Sequence, residues 1–452
     1  MSSDGLEFFH KNLAVKFDGQ FDSEFWSKLV MQLSHSEPSI RHAVSAISLI
    51  HRDVESSMRS PSGYVNADPK IQREWRAATQ YLAARISSRP DSNLVPLVCC
   101  LLFTCMEFLK GNVNLALLHI KSGFRILENI REANESIQVT QGRPSRTEED
   151  DIQKHVIPMF SRLNSLCTLF GLVTPPMYSL ESKDEIPHRD IRDSREHLFE
   201  ILDPAIRFVR LIAQKAAMLE VQMDDCVEQI KLQKRLDRWR NQLDDLQFRM
   251  KEAGQPIKEC AVNVLLVQYK VIYIWLRVCI TIEESATDAY IAEFEEIVHL
   301  ASEIASYGME EQGPQALSFD MQLIGPLYYV AVKCRHSGLR RKALELLRLA
   351  PRREGLWNAH HAYVTARRII ELEEAQLDTK GLPYESVRLY GVHLPAENSR
   401  IYDVGELPAD FRTFDIDIVP SPACPGAIQV EFRTKPWGPL GQWHTFKESL
   451  NL

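Results

Sequence analysis

The stretch Ala261–Ile282 narrows most sharply what this chain can fold into. It contains neither proline nor glycine, and Val262, Val264, Leu265, Val267, Ile272, Ile274, Leu276 and Ile280 leave it apolar on nearly every side. A helix that is apolar all round must be covered on every face, by lipid or by protein. Asn263, Gln268, Lys270 and Arg277 interrupt it, which argues against a bilayer span and for the centre of a helical body. The remainder of the chain has to supply the cover. With 452 residues, 45% hydrophobic and 25% charged, it has the material for two or three domains or one large body.

Helical periodicity recurs along the chain. Phe25, Leu29 and Leu33 step by four, and Phe21–Trp26 opens a helix that Asp22 or Ser23 can cap. Ser36 and Pro38 restart a helix whose inner face is Ile40, Ala43, Val44, Ile47 and Ile50. Ile71–Ile86 turns Trp75, Ala78 and Leu82 inward. Leu94–Lys110 and Asn112–Ile130 form a helical hairpin around Gly111, with Ala116 and Gly123 small enough for the two helices to approach closely. Asp151–Gly171 is helical. Ser194–Glu252 is expected to be one long, highly charged helical region, with Leu232, Leu236, Trp239, Leu243 and Leu246 on its buried stripe and Gly254-Gln255-Pro256 as its stop. Tyr290–Tyr307 is amphipathic.

Two stretches break this pattern. Residues 132–150 are polar and read as a loop or linker. From Pro383 onward the period changes to alternation with β-branched and aromatic residues, in "SVRLYGVHL", "IYDVGEL", "FDIDIV", "AIQVEFRTKPWG" and "QWHTFKE". The expected fold class is therefore mostly α: an irregular multi-helix body with helical hairpins, plus a small β-rich C-terminal appendage. The expected organisation is an N-terminal helical part over 1–131, a linker over 132–150, a second helical part over 151–382 and a β-rich tail over 383–452 packed on the body.

Met321–Glu374 organises the C-terminal half. Leu323, Leu327, Val330 and Cys334 share the face of a first helix. His336-Ser337-Gly338 breaks it, with Gly338 suited to a left-handed cap. Leu339–Leu349 forms a second helix ahead of Pro351. A third, from about Leu356, aligns Leu356, Ala359, Tyr363, Ala366 and Ile370.

Three blocks carry a resemblance. They are "IGPLYYVAVKCRHSGLRRKALELL" followed by "APRREGLWNAHHA" and "RIIELEE"; "FDGQFDSEFWSKLVMQLSHSEPSIRHAVSAISLIH"; and "LVCCLLFTCMEFLKGNVNLALLHIKSGFRIL". Together they resemble the regulatory region of fungal zinc binuclear cluster transcription factors, in that family's order. The resemblance implies transcription regulation, a nuclear location (otherwise cytoplasmic), and partners among the transcription machinery or other regulators, with a small-molecule effector possible in such bodies. It does not carry over any zinc ligand or DNA-contacting residue. The family's six-cysteine module is absent from this sequence, whose first cysteine is Cys99. No cofactor and no direct DNA contact by this chain are therefore expected. The formal net charge of −8 agrees, because a phosphate-gripping body needs clustered Lys and Arg.

The remaining chemistry-bearing residues have plain structural readings. The N-terminus has no targeting segment, and a soluble chain with no membrane partner is expected. The nine cysteines form no C-x-x-C and sit mostly in apolar runs, as reduced core residues do. His35, His42 and His51 are seven and nine apart, not the three or four of a helical metal pair. Vicinal His360-His361 diverge on a helix, and Asp415 with Asp417 reads as solvent-facing alternation. No catalytic signature occurs, so no enzyme and no metal site are expected. The most prominent basic feature, Arg340, Arg341, Lys342, Arg352 and Arg353, is the candidate interaction surface. The reading favoured over that surface is structural: a solvated helix face whose arginines bridge the three helices and hold carboxylates such as Glu354 and Glu371.

Overall fold

The computed structural model describes residues 3–18, 20–21, 24–58, 68–90, 92–136, 146–176, 186–311, 317–374, 387–389, 392–394, 401–405, and 427–451 apart from 436 and 439. They fall into two compact units, one made of Met1–Leu166, Gln315–Asp320 and Arg353–Leu356, the other of Cys167–Pro314, Met321–Arg352 and Trp357–Leu452.

The first unit holds helices α1 (Ser3–Phe8), α2 (Ala14–Asp18), α3 (Val30–Ser36), α4 (Pro38–Met58), α5 (Pro69–Ser88), α6 (Leu94–Lys110), α7 (Val113–Ser136), α8 (Arg146–Asp151) and most of α9 (Ile157–Leu169). Widened helical turns at Phe9–Leu13 and Phe25–Leu29 bring Phe9, Phe25 and Trp26 inward. Trp26 meets Phe17, Phe25 and Phe319 edge-on at centroid distances of 5.1, 4.8 and 5.3 Å. Such tilted packing is what the ring quadrupoles favour. The apolar run of α6 is buried from Leu94 to Phe108, and its one acid, Glu107, is met by Lys110 at 2.9 Å.

Gly111, at φ 76°, closes α6 in the left-handed conformation that the hairpin reading required. Gly123 serves a different purpose from the one its position suggested. A β-carbon there would lie 2.2 Å from the Phe160 ring, so the glycine admits the aromatic ring of α9 and not the backbone of α6. The polar stretch 132–150 is helical at both ends. Its first residues extend α7 to Ser136, and its last belong to α8. There Glu148 accepts hydrogen bonds from the Ser92 hydroxyl (2.9 Å) and the Leu94 amide (3.0 Å), putting negative charge at the start of α6.

The second unit is built on α10 (Ile191–Ala217), α11 (Met223–Glu252), α12 (Glu259–Val278), α13 (Ile291–Glu311), α14 (Ile324–Lys333), α15 (Ser337–Leu347) and α16 (Ala359–Glu374). Helix α12, the apolar stretch that opened the sequence reading, packs against α10, α11, α13 and α14. It is long and apolar enough to cross a membrane, but Val264, Leu265, Val267, Ile274 and Leu276 are fully buried in protein. Its interrupting polar residues have found partners: Gln268 donates to the Met321 carbonyl at 2.6 Å, Lys270 pairs with Glu296 at 2.5 Å, and Arg277 lies over the Tyr273 ring at 4.2 Å.

Two expectations are corrected here. Ser194–Glu252 is not one helical region, because a turn after Ala217 separates α10 from α11. Leu219 makes that turn at φ 59°, where a glycine would ordinarily mark it in sequence. Gly338 is not a left-handed cap either. It lies inside α15, whose N-cap is His336, with the imidazole Nδ1 accepting from the Leu339 amide at 3.4 Å.

The C-terminal part is β-rich, as the change of period indicated. Ala427–Thr434 pairs antiparallel with His444–Asn451 on one side and with Ile401–Gly405 on the other. Val387–Leu389 and Val392–Leu394 form a short antiparallel pair. Val430 and Phe432 are buried, and Glu448 binds Arg368 of α16 through two contacts of 2.6 and 2.9 Å. "FDIDIV", with Asp415 and Asp417, lies outside the described residues. The fold is mostly α with a small β-rich C-terminal part.

Candidate functional site

The basic residues of Met321–Arg352 were the strongest functional candidate in the sequence, and the structure turns several of them inward. Arg340 sits on the buried face of α15 with Leu339, Ala343 and Leu347. Its Nε donates to the Ala331 carbonyl at 2.9 Å, and its guanidinium lies 2.6 Å from the Glu373 carboxylate. Both side chains of that pair are 0% exposed. Glu374 lies 3.7 Å from Arg340 and also binds Arg341 at 2.5 Å. Arg335 is likewise buried, forked onto Asp288, and Lys333 reaches Glu284 at 2.8 Å. These contacts join α14 and α15 to the Glu284–Tyr290 turn and to α16.

The planar guanidinium suits this bridging, since it satisfies a carboxylate and a carbonyl in one plane. Taking two ions out of water costs several kcal/mol each, so the pairs have to be well made to be tolerated. The carboxylates recruited are Glu284, Asp288, Glu373 and Glu374; Glu371 instead pairs with Arg367 at 2.8 Å. Arg340 therefore drops out of any basic surface. Arg341, Lys342, Arg348 and Arg352 remain exposed on the second unit, while half-buried Arg353 belongs to the first.

The other chemistry-bearing residues follow their structural readings. His42 contacts Glu74 at 2.7 Å and stacks on Tyr81. His51 is buried, and desolvation pushes its pKa down to about 4. The neighbouring thiols of Cys99 and Cys100 are pushed up to about 12 by burial, which leaves them protonated and poor nucleophiles. The backbone amides of His360 and His361 both donate to Asn358 Oδ1, starting α16. No group of three or more His, Cys, Asp or Glu able to hold a metal occurs among the described residues.

One buried cluster was not legible in sequence. His188 is fully buried, and neither ring nitrogen has a hydrogen-bond partner. Its ring packs edge-on against His197 at 5.0 Å and tilts over Trp239 at 6.3 Å. Burial, with His197 adding to it, lowers the His188 pKa to about 4 and so keeps it neutral. Trp239 donates to the Ser194 carbonyl at 2.8 Å, and Arg249 donates to the His188 carbonyl at 2.7 Å. The adjoining cavity, lined by His197, Ile201, Arg235, Trp239 and Gln242, has room for about 10 Å³, less than a ligand needs. A larger concavity of about 540 Å³ is open to solvent along α5 between Pro69 and Gln80 and is lined mainly by polar side chains. Neither brings a nucleophile, a base and an oxyanion donor together.

With that geometry in hand, the chain can be set beside known proteins. It is 31% identical over 126 residues to the transcription regulator lscL of Purpureocillium lilacinum. The match covers 25% of this chain and 29% of that protein, so it spans less than a third of the relative. No protein-family profile matches the chain, and no solved structure matches it. A relationship to a fungal transcription regulator is thus supported over a quarter of the sequence.

Proposed function

We propose that this chain is the regulatory body of a fungal transcription regulator of the zinc binuclear cluster type, working in the nucleus through protein–protein contacts and not as an enzyme. The observation that carries the reading is the 31% identity to a transcription regulator. The helical architecture and the three sequence blocks lend it further support, as do the buried, neutral histidines and protonated thiols. Proteins of the transcription machinery or a second regulator are the partners it implies, with a small-molecule effector as a possible modulator. The formal charge of −8 speaks for action without gripping DNA through this chain itself. A co-regulator that works without contacting DNA is the second reading favoured by that charge.

The test is to fuse the full chain to an unrelated DNA-binding domain and place it upstream of a reporter in a fungal host. Reporter output is expected to change severalfold, up or down, relative to the DNA-binding domain alone. Unchanged output with the fusion present in the nucleus would overturn the proposal.

A further inference from the structure

Residues Ile186–Arg189 belong to no helix or strand and lead into α10, whose N-cap is Asp190. Their backbone is tied to the helices at three points. Gln242 donates to the Ile186 carbonyl at 3.3 Å, Arg249 donates to the His188 carbonyl at 2.7 Å, and the Arg189 amide donates to the Asp193 carboxylate at 3.0 Å. The first two ties come from α11 and the third from α10, so the segment is a strap laid on that helical hairpin. Ile186, Pro187 and Arg189 are exposed, and His188 is the residue of the strap that is buried.

That imidazole is held by packing and not by hydrogen bonds. Neither ring nitrogen has a partner, so the neutral ring leaves one donor and one acceptor unmet. Its neighbours are the His197 ring, edge-on at 5.0 Å, and the Trp239 ring, tilted at 6.3 Å. A protonated ring in the same place would be a buried charge with two unmet donors. The charged groups around it do not relieve that charge. On the strap, Arg189 is itself a cation, and Asp190 is engaged by the Asp193 amide at 2.7 Å. On α10, Asp193 is engaged by the Arg189 amide and guanidinium, at 3.0 and 2.9 Å, and His197 opposes a second positive ring beside it. On α11, Arg249 is a further cation, and Arg235 lines the small cavity beside His197. Helix α12 reaches the cluster through Tyr269, stacked on Trp239, whose phenol is kept neutral by burial with its pKa pushed up to about 12.

We propose that His188 is an acid-released latch: while neutral it docks the strap Ile186–Arg189 on α10 and α11, and its protonation frees the strap and uncovers the Trp239 ring. Opening is favoured as pH falls. Docked, His188 takes up a proton only near pH 4, because burial and then His197 hold its pKa down, whereas a released imidazole titrates near 6.5. The open strap therefore binds the proton more tightly, and opening gains about tenfold between pH 7.5 and pH 5.5. The inference stands apart from the regulatory reading and does not depend on it.

The test is amide hydrogen exchange of the full chain, resolved to single residues, at pH 7.5 and pH 5.5 and corrected for the intrinsic pH dependence of exchange. The Arg189 amide reports the strap, since its bond to Asp193 breaks when the strap lifts. Asp193 stays ionised at both pH values: burial raises its pKa, but its bonds to Arg189 outweigh that and leave it below the ordinary carboxylate value. The Ile274 amide, in the buried middle of α12, reports global unfolding. Arg189 is expected to exchange faster than Ile274 at both pH values, with a corrected rate that rises about tenfold on acidification. His188→Phe, which keeps a ring in the slot but takes up no proton, should abolish the rise. An Arg189 rate that is the same at both pH values overturns the proposal. So does an Arg189 amide that exchanges no faster than Ile274, or a rise that persists in His188→Phe. If that variant does not fold, the two wild-type rates decide by themselves.

Discussion

Helices α15 and α11 invert each other's chemistry. Helix α15 turns a charge inward: Arg340 is enclosed with Glu373, and the enclosure works because a carboxylate and a carbonyl meet its guanidinium. Helix α11 turns apolar side chains outward, and Met223, Val227 and Ile230 keep their surface in solvent. One helix shows how a fold tolerates a misplaced charge, by pairing it internally. The other shows apolar residues for which the second unit supplies no cover. An internal partner makes a residue structural; the outer face of α11 has no such cover within the second unit.

The largest expected effect comes from breaking the inward side of this comparison. Arg340→Ala leaves Glu373 buried without its cation and is expected to destabilise the chain by about 3–5 kcal/mol, read as a fall in denaturant midpoint. Replacing both partners, Arg340→Met with Glu373→Leu, should recover most of that loss, since a buried pair and an apolar pair of similar volume are close in stability. If the double variant is as unstable as the single, the guanidinium contributes through its bond to the Ala331 carbonyl and the comparison has to be redrawn around that bond.

The next effect separates the two stripes of α11 within one helix. Leu236→Ala, on the buried stripe, is expected to cost about 2–5 kcal/mol through lost burial and the cavity left behind. Val227→Ala, nine residues earlier on the exposed stripe, should stay within about 0.5 kcal/mol. Similar losses at both positions would mean that Val227 is covered in the free chain.

Much of this was legible in the sequence, and the exceptions share a cause. The stripe from Leu232 to Leu246 was readable because core burial imposes the helical period on the residues themselves. Helix α12 was readable because an apolar surface on all sides leaves few alternatives. The bridging role of Arg340 was readable in kind, but its partner was not: sequence spacing does not say which carboxylate some thirty residues away, Glu373 and not Glu354 or Glu371, meets a given guanidinium. Gly123 was misassigned for a similar reason: the glycine signals a close approach but not which element approaches, here Phe160. His188 gave no signal at all, since its burial beside Trp239 depends on a tertiary contact.

The boundary between α10 and α11 was missed because the position that takes the left-handed conformation holds Leu219 and not glycine. That anomaly gives the smallest and most discriminating experiment. Leu219→Gly removes an exposed side chain and relieves the positive φ, while the bonds that close the turn, from the Leu219 amide to the Ala216 carbonyl and from the Glu220 amide to the Lys215 carbonyl, are backbone bonds and survive. Against this relief stands the greater entropy that glycine loses on folding, so the net gain should be at most about 1 kcal/mol, measured as a rise in Tm. A rise in Tm would show that the positive φ of Leu219 is strained and that its exposed side chain does not repay that strain within the fold. An unchanged or lowered Tm would show that the entropy glycine loses on folding, or the leucine side chain itself, outweighs the strain of the left-handed turn.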